Sequence, residues 1–194
     1  MLTPISFRVP PNVHFEIDDV TLEWTFQKDH FDFIHARCLA GSIQDWPRLI
    51  SDCYDHLRPG ARLELSEGRA NFFCNDDSLT PDTSTHRWLT EFRRLSGPLG
   101  FDIAPQLPDM MRKAGFEDVQ YTQKIVPMGT WPRDPALKEI GRWFRMQFLD
   151  SAIEAYSLAL FTRAGGWSTE DVQILLALVR QELKSNKFHL YTYT

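Results

Sequence analysis

The sequence predicts an open α/β fold with a parallel sheet and a largely helical second half, on three observations. Phe31 to Cys38 (FDFIHARC) is an apolar run of strand length. A helical period over Trp46, Leu49, Ile50, Cys53, Tyr54 and Leu57 follows, and Pro59-Gly60 stops it. Leu63 and Leu65 then begin a strand that runs to Glu67. Strand, helix, turn, strand is the βαβ unit, in which a crossover helix returns the chain so that both strands run parallel.

The remaining elements follow in order. Pro10-Pro11-Asn12 is a stiff, turn-prone opening. Val13, Phe15 and Ile17 alternate with His14 and Glu16, which predicts a strand ended by Asp18-Asp19. Ser42 and Asp45 stand at the N-cap and N3 positions of the first helix, a capping box with Asp in place of Glu. A polar loop, Asn71 to Ser84, leads to a helix with Trp88, Leu89, Phe92 and Leu95 on one face. A further helix, Gln106 to Ala114, is capped by Gly115, and Val119 to Val126 predicts a strand ended by Pro127. Helices follow at Ala136–Leu149, Ala152–Phe161 and Val172–Leu183, the last capped by Ser168. Gly165-Gly166-Trp167 makes the turn before it, and Phe188–Tyr193 reads as a closing strand.

The chain has 194 residues, a length that suits one domain with a full core. Its formal net charge is -5 and its 21 Lys and Arg are scattered, with Arg93-Arg94 the one dense run. A nucleic-acid binder collects its cations on one face, so no nucleic-acid partner is expected. Cys38, Cys53 and Cys74 show no metal-ligand spacing, so they read as reduced, mostly buried thiols with no metal and no disulfide set. There is no secretory signal in Met1 to Pro11, and the longest apolar stretch, Ile174 to Val179, is far short of a membrane span. A soluble cytoplasmic protein is expected, with a nuclear address left open.

The stretch VPPNVHFEIDDVTLEWTFQKDHFDFIHARCLAGSIQDWPRLISDCYDHLRPGARLELSE resembles the fungal methyltransferase-like family that includes the velvet-associated regulator of secondary metabolism. The likeness continues through AGFEDVQ, GTWPRDPALKEIGRW, LFTRAGGWSTEDVQILLALVRQELK and HLYTYT. It implies a class I methyltransferase (Rossmann-like) fold: a mostly parallel sheet, helices on both faces, and an antiparallel strand near the end. In that family a strand, a GxGxG loop and a helix come first, followed by a second strand whose acidic end grips the ribose of S-adenosylmethionine. Met1 stands where that region begins, so the resemblance implies an incomplete sheet lacking its first two strands. Residues 1–70 would be the remnant of the sheet core, and 71–194 the acceptor-side helices with closing strands. No GxGxG occurs; Gly97/Gly100 and Gly165-Gly166 do not follow a predicted strand.

Such glycines let the backbone approach the donor closely. Without them, S-adenosylmethionine is the cofactor by family only. The family's strand order also leaves Phe31–Cys38 with an open edge. Three outcomes are open: Val13–Ile17 slides across to pair with it, a second copy or another protein covers it, or the sequence is an incomplete gene product.

By resemblance, Asp18 and Asp19 match the position that reaches the adenine amino group. His35 and Arg37 fall beside the sulfonium and acceptor, as the best catalytic candidates. Arg37 also has Asp32 and Asp45 as ion-pair alternatives. Glu67, Trp46, Trp131, Trp143 and Phe144 are the candidates for contacting an apolar acceptor. Methyl transfer asks for little acid–base chemistry, because the sulfonium is already activated and the protein mainly aligns the partners. Three functions follow: an accessory or product-steering protein acting on a pathway intermediate without the donor, an active S-adenosylmethionine-dependent methyltransferase, or a non-catalytic partner-binding regulator.

Overall fold

The structure, a computed structural model, describes residues 10–194. Its first layer is the predicted βαβ unit: β1 (Phe31–Arg37), α1 (Trp46–His56) and β2 (Leu57–Ser66), with β1 and β2 parallel and His35 opposite Glu64. Asp45, rather than Ser42, caps α1, accepting from the Arg48 amide at 3.0 Å. Pro47 is the reason. A helix begun at Ser42 would bury its ring inside the second turn, where it clashes with a carbonyl, whereas the first turn tolerates it.

Strand β2 also starts earlier than the Pro59-Gly60 signal implied. The pairing jumps from Phe31 opposite Leu57 to Phe33 opposite Arg62, so Pro59-Gly60 bulges out within the strand, with Gly60 at φ +82°. Ile34, Leu63 and Leu65 pack down onto a core of Trp46, Leu49, Ile50, Cys53, Ile103 and Leu107, supplied by α1, α3 (Leu107–Lys113) and the turn before α3. Among the described residues the opposite face of this sheet carries no helix. Phe33 is 51% exposed there, so the helices expected on both faces are found on one.

Two predicted strands are corrected. Val13, Phe15 and Ile17 form no strand, and Phe15 and Ile17 are 80% and 106% exposed. Of Val119–Val126, only β4 (Ile125–Pro127) is a strand. The cause is common to both: alternation prepares a strand, but only a neighbouring backbone completes it, and these stretches have none among the described residues. Strand β1 pairs with β2 alone, so Val13–Ile17 has not slid across to it.

A second, antiparallel sheet has the order β3 (Phe73–Cys74), β5 (Leu190–Tyr193), β4. It lies against the helical half, α2 (Ser84–Ser96), α4 (Pro135–Gln147), α5 (Ile153–Ala159) and α6 (Thr169–Lys184). The break expected at Asp150-Ser151 is absent: π turns at Phe148–Ala152 and Leu160–Ala164 carry α4 and α5 through as one helix. Trp88, Leu89, Phe92 and Leu95 of α2 meet Phe148, Ile153, Phe161, Val172, Leu176 and Val179 in the larger core. Within it the Trp88 indole donates to the buried Ser157 hydroxyl at 2.9 Å. Ser168 caps α6, as its sequence position predicts.

Candidate functional site

Open α/β sheets present their sites at the carboxyl ends of the strands. Here that edge is Arg37 and Cys38 after β1, and Glu67 after β2. The Cys38 amide donates to Ser66 at 3.1 Å, and the chain then swings away with Cys38 at φ 57°. Glu67 is 9% exposed, and its two oxygens accept from the amides of Leu39 (2.7 Å) and Ala40 (3.2 Å). Its geometry is that of a clasp holding the loop after β1 against the end of β2. Glu67→Ala leaves two amides without acceptors, an expected loss of about 2 kcal/mol. Faster hydrogen exchange at Leu39 and Ala40, with Trp88 unaffected, is the corresponding readout.

His35 and Arg37 lie on the uncovered sheet face, both exposed. His35 Nδ1 is 3.6 Å from Glu64 on the neighbouring strand. Arg37 pairs with neither sequence alternative, since Asp32 takes Arg58 at 2.6 Å and Asp45 caps α1. Asp18 and Asp19 sit in an exposed turn: Asp18 accepts from the Asp19 amide (2.8 Å), and Asp19 from the amide and hydroxyl of Thr21 (2.9 and 2.7 Å). Those Thr21 contacts hold the Asp19 carboxyl below its ordinary range.

The five candidate acceptor contacts lie apart. Trp46, 2% exposed, belongs to the core under β1 and β2, and its buried indole N–H has no partner among the described residues. Phe144 packs in tilted pairs with Phe72 and Phe148, ring centroids 6.2 and 6.1 Å apart, against the helical core. Trp143 is 54% exposed and donates to Glu139 at 2.5 Å, within its own helix. Glu67 borders a cavity of about 600 Å³, which the other four do not line. Trp131 donates to the Leu190 carbonyl at 3.0 Å and lies 5.2 Å from the His189 ring.

Around Trp131 the chain assembles a polar cluster that the sequence does not announce. His189 Nδ1 makes a short hydrogen bond to Asp76, whose other oxygen accepts from the Ser78 amide and the Cys74 thiol, each at 3.1 Å. The Ser78 hydroxyl accepts from the His189 amide at 3.0 Å, so the loop after β3 is clasped to the start of β5. Asp76 and His189 are too far apart in sequence to form a local motif. Hydrogen bonds from Ser78, Cys74 and His189 hold the Asp76 carboxyl well below the usual carboxylate range. A carboxyl depressed in the folded state adds stability above its unfolded pKa, about 3.9, and loses it as the pH falls through the folded value. The melting temperature of the native chain should therefore fall more steeply between pH 5 and 3 than that of Asp76→Asn.

Of the cysteines, Cys53 alone is buried; Cys38 is exposed and Cys74 intermediate, which corrects the expectation of mostly buried thiols. Burial pushes the Cys53 thiol up to about 12, with Asp52 adding to it, so it is inert at neutral pH. Among the described residues no group of His, Cys, Asp and Glu has the geometry of a metal site, and no helix is long and apolar enough to cross a membrane.

The described residues that could meet the donor are engaged elsewhere. The glycine after β1, Gly41, has its open side filled, because a Cβ there would stand 2.7 Å from the Phe101 ring. The Asp18 and Asp19 carboxylates are turned to their own turn.

Comparison with known proteins places the chain. Residues 4–121 match the model of a family described as a methyltransferase domain. Methyltransferase pytC of Aspergillus terreus is 40% identical over 191 residues, covering 97% of this chain and 58% of its own length. Secondary metabolism regulator LAE1 of Cochliobolus heterostrophus is 34% identical, covering 95% of this chain and 61% of its own. The protein-methionine methyltransferase laeA of Emericella nidulans is 30% identical, covering 94% and 49%. The chain thus spans about half to three-fifths of the length of these relatives. Among solved structures, a Haemonchus contortus phosphoethanolamine N-methyltransferase 2 in complex with S-adenosyl-L-methionine aligns over 90% of this chain and 34% of its own, with 18% identity and a TM-score of 0.40. With its βαβ unit, its mixed α/β layout and a family match over more than half its length, the chain belongs to the methyltransferase-domain family.

Proposed function

We propose that this chain is a methyltransferase-like protein of fungal secondary-metabolite biosynthesis that does not hold S-adenosylmethionine in the usual way and instead steers a pathway intermediate by orientation. One observation carries the proposal: among the described residues the carboxyl edge of β1 and β2 is braced by Glu67 on Leu39 and Ala40, and the Asp18 and Asp19 carboxylates accept hydrogen bonds within their own turn. The family match and the relatives' names support the pathway class. On this reading His35, with Glu64 beside it, and Arg37 meet polar groups of the intermediate. The chain works in the cytoplasm, and a second copy or another protein covers the free edge of β1. A stable monomer without partners by native mass spectrometry would remove that last element.

A second reading has its own support. The relatives named methyltransferases are matched over only part of their length, which favours an active S-adenosylmethionine-dependent enzyme whose glycine-rich element docks along β1. Deletion of the gene separates the readings. The accessory reading expects an altered product profile with the methylation pattern retained, restored by the 194-residue chain. Loss of one methyl group from the product supports the enzyme reading, and an unchanged profile overturns both.

A further inference from the structure

His189 is held in the manner of a catalytic base. Its Nδ1 hydrogen-bonds to Asp76, whose carboxyl stays ionised because hydrogen bonds from Ser78, Cys74 and His189 itself keep it well below the usual carboxylate range. An ionised carboxylate only accepts, so Nδ1 carries the proton and the lone pair of the neutral ring lies on Nε2. Asp76 is anchored in turn, its other oxygen accepting from the Ser78 amide and the Cys74 thiol at 3.1 Å each. Trp131 lies against the imidazole, ring centroids 5.2 Å apart, and its own N–H is fixed on the Leu190 carbonyl at 3.0 Å.

The histidine is thus restrained at one nitrogen and along one face, while its side chain remains 46% exposed. No other histidine among the described residues is placed this way. His35 stands 3.6 Å from Glu64, beyond hydrogen-bond length, and His56 is buried with Nδ1 on the Asp52 carbonyl at 2.7 Å. A base oriented by a carboxylate that is itself oriented is the arrangement by which enzymes aim a proton acceptor at a substrate. The surroundings narrow the substrate. Trp131 offers an apolar flank, and the hydrogen-bonded cluster contains no Lys or Arg to receive an anion.

We propose that His189 and Asp76 form a proton-transfer site for flat, uncharged carbon acids, with Nε2 as the base, Asp76 as the positioning residue and Trp131 as the apolar flank. Nε2 takes a proton from a carbon beside a carbonyl, and the C–H electron pair passes into the carbonyl as an enolate. The imidazolium so formed is countered by Asp76. Return of that proton to a different atom of the same molecule completes an isomerisation, with no oxidant and no second reactant. This inference does not rest on the proposed function, because His189 immediately precedes β5 and lies outside the edge formed by His35, Arg37 and Glu67.

The test uses the 194-residue chain and 5-nitrobenzisoxazole, a flat, uncharged carbon acid. Removal of its ring C–H proton breaks the adjoining N–O bond, and the electron pair leaves on a phenolate oxygen whose absorbance reports turnover. Saturable turnover is expected, slower when that hydrogen is deuterium. His189→Asn places an amide nitrogen where Nδ1 stood, so it keeps the hydrogen bond to Asp76 while removing Nε2. Its melting temperature should hold while kcat/KM falls by about tenfold or more. Trp131→Leu should raise KM and leave kcat. Equal turnover by the native and His189→Asn chains would overturn the proposal, and so would a rate that shows no isotope effect or fails to saturate.

Discussion

Gly141→Ala is expected to destabilise the chain by about 3 kcal/mol, at the upper end of overpacking costs. Helix α4 crosses the strand end at Gly129 so closely that the Gly129 amide donates to the Gly141 carbonyl at 3.1 Å. A Cβ at position 141 would stand 2.0 Å from the Gly129 carbonyl oxygen and 3.1 Å from Pro127. The obstacle is the Gly129 main chain and the Cβ of the rigid Pro127 ring, so no side-chain rotation relieves it. Nor is Gly129 free to move: its φ is +104°, and the neighbouring Thr130 amide is held by Asn186 at 2.8 Å. Helix α4 must shift outward, loosening its contact with β4 and β5. For a chain of this size the melting temperature should drop by about 6–12 °C, read by circular dichroism.

Glu182→Ala is expected to cost a similar amount, about 3 kcal/mol, by a different route. A helix begins with amides that have no partner inside it. In α2 the Thr83 hydroxyl takes the His86 amide, while Glu182 of α6 takes Ser84 (2.9 Å) and both the amide and hydroxyl of Thr85 (each 2.7 Å). Thr85 is fully buried, so water cannot replace the lost acceptor without opening the core. The carboxylate also faces the positive end of the α2 dipole. Glu182→Gln, which keeps one good acceptor oxygen, should fall between native and alanine in urea unfolding. Equal stability of the native and alanine chains would show that the cross-helix bonds are not formed in solution.

Local chemistry made much of this fold legible in the sequence. The period over Trp88–Leu95 buries the face it predicts, that over Trp46–Leu57 buries Trp46, Leu49, Ile50 and Cys53 but leaves Tyr54 exposed and gives Leu57 to β2, and Ser168 caps α6 as its position requires. Two strand predictions that depended on a neighbour failed. Val13–Ile17 and Val119–Gln123 carry strand patterns and remain unpaired among the described residues, because a pattern says which face is apolar and nothing about whether another backbone lies alongside. The site shows the same divide. That Glu67 stands at a strand end could be read locally; that both its oxygens hold the loop after β1 could not, since its partners lie 27 and 28 residues away. The pairs Asp76–His189 and Thr85–Glu182 are longer still in sequence, and no spacing signals them. The aromatic candidates scatter because Trp46 and Phe144 were drawn into two different cores.

Isothermal titration of the 194-residue chain with S-adenosylmethionine probes the central claim most directly. On the proposed accessory reading, no saturable heat is predicted at millimolar donor, a binding free energy weaker than about -4 kcal/mol. Saturable micromolar binding, roughly -8 kcal/mol, with the resonances of His35 and Asp18 shifting as donor is added, would contradict it.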